Sequence, residues 1–284
     1  MSSHAPYSLG WERDLPDFRD YSDESDEIDS IISKSSKMRS IRNELPQMVD
    51  LRKDCPPIEN QGSLGSCTAQ AGVGMMEYYQ HRAFGKHLDG SRLFLYKTTR
   101  NLLGWTGDDG AYIRTTMKAM ALFGICPEEH FPYDIDKYND EPTAFCYTLA
   151  QSFQALKYYR LDPIGRGPDK VLYNVKQKLA ADLPSMFGFS VYNSMPFEAG
   201  VSDIPFPSGS DRLIGGHAVV AIGYDDNRKI GKCTGALCIR NSWGENWGDK
   251  GYGWLPYDYV LSGLAVDFWS LVKAEFIQTD LFGG

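Results

Sequence analysis

Halfway along the chain the spacing of apolar residues changes period, and that change narrows the choice of fold more than any other feature. Up to about residue 155 apolar side chains recur three or four apart. After Cys67, residues Ala69, Val73 and Met76 share one helical face. Residues 91–96 form a short apolar element, also predicted helical. Over 111–123, Ile113, Met117, Met120 and Ala121 line one face with Arg114, Thr115 and Lys118 off it, and Gly124 then Pro127 mark the end. One more helix is predicted over 169–182, stopped by Pro184. Beyond it the runs are β-branched and aromatic and are parted by Gly, Pro, Asn and Asp. Strands are predicted at 186–192, 217–224, 236–242, 252–259 and 266–274. Helices followed by strands read as an α+β layout, and a cleft between two such lobes is a common place for a site.

Composition excludes several classes. The 284 residues suffice for one large domain or two lobes, and 42% hydrophobic with 13% aromatic residues marks a globular chain. A net charge of -8 argues against nucleic acid as a partner. No apolar run reaches the roughly 18 residues of a membrane span. The first residues show neither a basic n-region nor an apolar h-region. No Sec signal is therefore expected, which leaves the cytoplasm or a signal-less export route. Six cysteines, at 55, 67, 126, 146, 233 and 238, allow up to three bridges, but an even count without an export signal is weak evidence for any. Cys233 and Cys238 lack the two further ligands of a zinc knuckle, and the Asp108-Asp109 region lacks calcium-loop spacing. They read as core thiols or at most one hairpin bridge, and no metal or cofactor is expected.

Residues 1–44 read as an acidic extension and 45–284 as the main domain, with a helical lobe over roughly 60–155 and a β-rich lobe over 156–284. Residues 49–52 would be the domain's first strand. The stretch 11–29 is dense in acids with only two arginines. By composition it is a solvated tail, yet Trp11, Leu15, Phe18 and Tyr21 are spaced like anchors.

Three short stretches carry chemistry. From Gln61 a glycine-rich turn runs into Cys67 and then a helix, with Ser66 as N-cap. In the first turn, unpaired backbone N–H groups and the helix dipole favour a thiolate. Taken alone, a single cysteine is more often a buried small hydrophobe. Next, Gly215 and Gly216 precede His217, which opens an apolar strand with an uncrowded ring. Last comes Asn241-Ser242-Trp243-Gly244-Glu245-Asn246-Trp247-Gly248. A lone histidine is usually structural and such a glycine-rich run is usually a turn. Together they supply Cys, His and Asn in that order.

These stretches resemble the active-site blocks of the papain family of cysteine peptidases. Gly10-Trp11 and Leu15-Pro16-Asp17-Phe18-Arg19-Asp20 in the extension are similar to its xylellain-like bacterial subgroup. The resemblance implies a papain-like two-lobe fold, with a helical left lobe, a β-barrel-like right lobe and the cleft between them. It implies an endopeptidase working through an acyl-thioester on Cys67. His217 would be general base and acid, Asn241 its orienting partner and Gln61 an oxyanion donor beside the Cys67 N–H. Trp243 would cover the His217–Asn241 contact and Trp247 would border the primed side, unless it is simply core. Asp109 and Gly110 would pair with substrate upstream of the cut, and Gly188, Gly215 and Gly216 would border a roomy specificity pocket. Leu64 stands where the family has a cysteine, so the disulfide beside the nucleophile is expected to be missing, and Thr68 replaces a tryptophan.

The implied partners are protein or peptide substrates and the chain's own N-terminal segment, acting in a monomer with neither nucleic acid nor membrane. That segment would be a short pro-segment, with Trp11, Leu15 and Phe18 in or beside the cleft, lowering activity until removed near 40–48. The alternatives are a silent peptide-binding relative, or another Cys-His-Asn thiol enzyme such as an amidase, transglutaminase or peptidoglycan hydrolase. The Asn-Ser-Trp-Gly block and the Gln61 spacing favour the peptidase.

Overall fold

The computed structural model describes residues 7–41, 44–154 and 157–273. The 155/156 lobe boundary, Ala274 at the end of the last expected strand, and residues 42–43 of the expected removal region lie outside them.

The described chain opens with β1 (Trp11–Glu12), α1 (Asp26–Ile32), α2 (Ser36–Ser40) and β2 (Met48–Asp50). A helical block follows: α3 (Cys67–Phe84), α4 (Arg92–Leu103), the short β3 (Ala111–Tyr112), α5 (Ile113–Leu122) and α6 (Ala144–Ala150). Then come β4 (Lys157–Arg160), α7 (Pro168–Ala180), β5 (Ser185–Tyr192), β6 (Leu213–Ile230), β7 (Cys233–Arg240), β8 (Tyr252–Pro256), α8 (Tyr257–Leu261) and β9 (Ala265–Val272).

Helix α3 is the central element. Every residue from Cys67 to Tyr79 is buried, Thr68, Gln70 and Glu77 included, so the helix is enclosed all round rather than half-exposed. It ends where Gly85 turns left-handed (φ 68°) and returns an N–H to His81. The ends of α4 and α5 are set in the same way by Gly104 and Gly124, both at positive φ.

The large sheet has seven strands in the order β4-β9-β5-β6-β7-β8, with β2 also on β6, all pairs antiparallel. It is an open sheet. No closed barrel forms among the described residues, which corrects the barrel-like expectation for this lobe. β6 runs well beyond 217–224 and bends through two irregularities against β7. The strand expected over 252–259 stops at Pro256, whose missing N–H cannot extend the ladder, and α8 begins there.

The N-terminal segment lies against the body. β1 pairs parallel with β3 through Trp11↔Ala111; Arg160 donates its N–H to Tyr21 at 2.7 Å; Ile28 and Ile32 of α1 are buried. Of the four expected anchors only Trp11 is buried. Leu15 is 77% and Phe18 91% exposed, and Tyr21 is also exposed. The three- or four-residue spacing would align them on a helix, whereas here the chain is extended and turning. Ion pairs hold it instead, with Asp20 on Arg114 at 2.6 Å and Asp23 on Arg166 at 2.6 Å.

Candidate active site

Cys67 is the first residue of α3 and is fully buried. Ser66 occupies the N-cap position, but its hydroxyl is bound to the Tyr133 hydroxyl at 2.7 Å and caps no helix N–H. The backbone N–H groups of Ala218, Gly10 and Thr68 act on the thiol. Ala218 follows His217 in β6, so the thiol sits one peptide from the imidazole-bearing residue.

The His217 ring is held on three sides. Trp243 stacks on it at 4.4 Å and Phe189 meets it edge-on at 5.9 Å. Its Nε2 lies 2.7 Å from Asn241 Oδ1. That oxygen also accepts the Ser242 N–H at 2.8 Å, which fixes the amide's orientation. His217 must therefore donate from Nε2, leaving Nδ1 as the basic nitrogen. Nδ1 is buried and has no hydrogen-bond partner. Behind Trp243, the buried Trp247 packs edge-on at 5.4 Å and donates to Pro196 O.

Gln61 is fully buried as well. Ser242 Oγ donates to its Oε1 at 2.6 Å, so Nε2 is turned outward, donating to Leu64 O at 2.9 Å and Ser8 O at 3.1 Å. Residues 7–11 thus run along the site. Tyr7 stacks on Trp243 at 4.9 Å with planes 4° apart. Gly10 O accepts from Ala111 N–H at 2.8 Å, and the Trp11 indole lies against Gly188 and Gly216.

Burial under this strap changes the electrostatics expected from the sequence. The Cys67 thiol is pushed up to about 11 by desolvation and the His217 imidazole down to about 4 by the same cause, against the Asn241 bond that favours its cation. Both shifts act against a thiolate–imidazolium pair in the covered site, because burial removes the water that would solvate two charges.

The remaining expected residues separate. Gly110, Gly188, Gly215 and Gly216 all face the strap, Gly215 against Leu9. Asp109 is exposed and directed at Gly107. Its neighbour Asp108 does the holding, accepting from Gly65 N–H at 2.9 Å and Tyr96 OH at 2.5 Å. Thr68 Oγ1 accepts from Thr116 at 3.0 Å, Leu64 is buried, and all six cysteines are free. Ser242, Tyr133, Tyr7 and Ser8 were not singled out from sequence, and Asp108 was considered only for calcium. Ser242 stands inside a recognised motif, but its partner lies 181 residues away, and no local pattern reports such a contact.

A buried thiol at a helix start, an imidazole fixed by a carboxamide and a neighbouring side-chain N–H donor, set between helices and an antiparallel sheet, define a thiol-nucleophile hydrolase. The family model for papain family cysteine proteases matches residues 45–265. The chain belongs to that family and is a cysteine peptidase. It is 35% identical over 234 residues to a peptidase C1-like protein of Acanthamoeba polyphaga mimivirus, covering 80% of this chain and 72% of that one. It is 29% identical to mouse (Mus musculus) cathepsin K over 74% of this chain and 60% of that protein's length. Among solved structures it resembles xylellain, a cysteine protease from Xylella fastidiosa, with a TM-score of 0.74 and 34% identity, covering 93% of this chain and 96% of that one. That likeness groups the chain with the xylellain-like members.

Proposed function

We propose that the chain is a cysteine endopeptidase acting as a monomer through an acyl-thioester on Cys67, kept latent by residues 7–14. The carrying observation is the His217 ring, with Nε2 committed to Asn241 and Nδ1 buried without a partner. Once the strap lifts and water returns, Nδ1 takes the Cys67 proton. The thiolate attacks the substrate carbonyl carbon. The oxyanion that forms is met by Gln61 Nε2 and the Cys67 N–H. Collapse breaks the C–N bond as His217 returns the proton to the leaving amine. A water deprotonated at the same nitrogen then hydrolyses the thioester, releasing the acid and restoring the thiol.

The latent state follows from direction. The strap's numbering rises from Trp243, through Gln61, to the Gly188 pocket. A substrate with its upstream residue in that pocket would run the opposite way. Ser8 O therefore occupies the Gln61 donor while its peptide bond is presented backwards. The Trp11 seat also argues for substrates with a large apolar or aromatic residue in this pocket.

A thiol-directed peptidyl epoxide followed by mass spectrometry tests the reading, with fluorogenic dipeptide amides alongside. Labelling at Cys67 with turnover that Cys67→Ala abolishes supports it. No labelling after strap removal would mean a silent binder, and labelling without amide cleavage another thiol enzyme.

A further inference from the structure

Where the strap leaves the groove, its Asp14 enters a buried group of charges. The Asp14 side chain is 1% exposed and that of Asp267, on β9, is 0% exposed. Asp14 donates its N–H to Asp267 Oδ2 at 2.8 Å. Its own Oδ2 accepts from Arg114 N–H at 3.1 Å and Trp269 Nε1 at 3.2 Å. Arg114 also reaches Asp14 Oδ1 at 3.5 Å and Asp20 at 2.6 Å. Arg160 reaches Asp267 at 2.5 Å, Asp162 at 3.0 Å and Asp20 at 3.7 Å. The exposed Arg13 and the Asp17–Arg19 pair lie at the rim of the group, and Tyr158 is a further titratable neighbour. Two adjoining buried carboxyls, Asp14 and Asp267, thus share the Arg114 and Arg160 guanidiniums with Asp20 and Asp162, which border an open cavity. Neighbouring carboxyls withdrawn from water in this way retain protons.

We propose that residues 7–14 are latched by a proton held on the Asp14 carboxyl, so that the strap is tightest in mild acid and loosens as the pH rises to neutrality. The direction follows from the group's energetics. Burial first, and then the Asp267 charge, push Asp14 up to about 7, with Arg114 and Arg160 opposing. Asp162 is pushed up to about 6, and Asp267 is also raised. A carboxyl higher in the docked than in the free segment takes up a proton on docking. Docking is therefore favoured fully below the free value near 4, weakens by up to roughly tenfold per pH unit as the pH climbs, and levels off above about 7. The consequence for catalysis rests on the latency reading above; the latch itself does not.

Hydrogen–deuterium exchange on the full-length protein, corrected for the intrinsic pH dependence of exchange, reads the latch at two amides. These are Ala111 N–H, bonded to Gly10 O, and Asp14 N–H, bonded to Asp267. Protection at both is expected to fall on the order of tenfold per pH unit between about pH 5 and 7. In Asp14→Asn, which mimics the protonated carboxyl in shape, it should stay high and flat. Asp267→Asn, which keeps Asp14 but removes its charged neighbour, should move the fall to lower pH. Unchanged wild-type protection across the range, or an Asp14→Asn profile that follows wild type, overturns the latch. If protection falls with pH while turnover of a dipeptide amide stays level, the latch stands and the latency reading fails.

Discussion

The indole of Trp11 occupies the space a side chain at residue 188 would need. A β-carbon built on Gly188 would overlap its Nε1, Cδ2 and Cε2 atoms, and one on Gly216 its Cε3. The ring is 7% exposed, so the strap inserts an aromatic residue into the pocket, with Leu9 against Gly215 beside it.

Trp11→Ala should therefore unmask the site. Deleting a buried tryptophan costs about 3–5 kcal/mol in a core. At the lower end the docking equilibrium falls on the order of 100-fold. Iodoacetamide should then label Cys67 faster, and turnover of dipeptide amides by the full-length protein should rise in parallel. Equal labelling rates for wild type and variant would show that the indole does not hold the strap.

Ser242 and Gln61 are expected to act as one unit. The Ser242 hydroxyl, 2.6 Å from Gln61 Oε1, keeps Nε2 directed at the position taken by Ser8 O. In the Trp11→Ala background, Gln61→Ala should lower kcat by roughly 10²–10³. Ser242→Ala should lower it about tenfold, the worth of one buried hydrogen bond, with little change in KM. The double variant should match Gln61→Ala alone. Additive losses in a steady-state kinetic cycle would assign Ser242 some other part.

Much of this was legible in the sequence because it was local. The helix begun by Cys67, the strand carrying His217 and the turn carrying Asn241 each announce themselves within about a dozen residues. What was not legible depends on pairings across the fold. Tyr133 bonds Ser66 and Gln61 from 67 and 72 residues away, and Asp14 meets Asp267 from 253 away. The strap was misread for the same reason. Spacing drew attention to Leu15 and Phe18, but the acids on either side of them, Asp14 and Asp20, which composition marks as solvated, enter the charge group around Arg114. The desolvation of Cys67 and His217 had no sequence signal either, since residues more than fifty positions upstream lie over the site.

Glu77, on the same helix as Cys67, should give the fold a measurable pH dependence. It is buried, accepts from Gly90 N–H at 2.9 Å, and is pushed up to about 7 by desolvation, with Arg92 and Arg240 opposing. A folded value above the unfolded one near 4.5 means that the folded chain holds the extra proton. Stability from this group is complete below about 4.5, declines as the pH rises to about 7 and levels beyond, a loss of about 3 kcal/mol. Glu77→Gln should flatten that part of the curve and raise the Tm near pH 8. Thermal unfolding of both proteins across this range decides it, and parallel curves would remove Glu77 as the cause.

Gly10→Ala attacks the strap from its other side and separates docking from pocket filling. Gly10 passes between two backbones. A β-carbon there would strike the Gly65 carbonyl, and Gly110, at φ 76°, has no room for one of its own because Gly10 O is in the way. Neither wall can retreat freely. Gly65 N–H is held by Asp108, and Ala111 N–H is the donor that receives Gly10 O. One methyl group should therefore dislodge residues 7–11 while leaving the indole, the Gly188 pocket and the catalytic groups chemically unchanged. The expected result is faster Cys67 alkylation and higher turnover, as for Trp11→Ala, with the main unfolding transition moved by no more than a few degrees, because α1 and its buried Ile28 and Ile32 keep their own seat. Alkylation at the wild-type rate would mean that the passage between Gly65 and Gly110 is wider in solution than its geometry allows, and the strap would lose its role as the cover of the site.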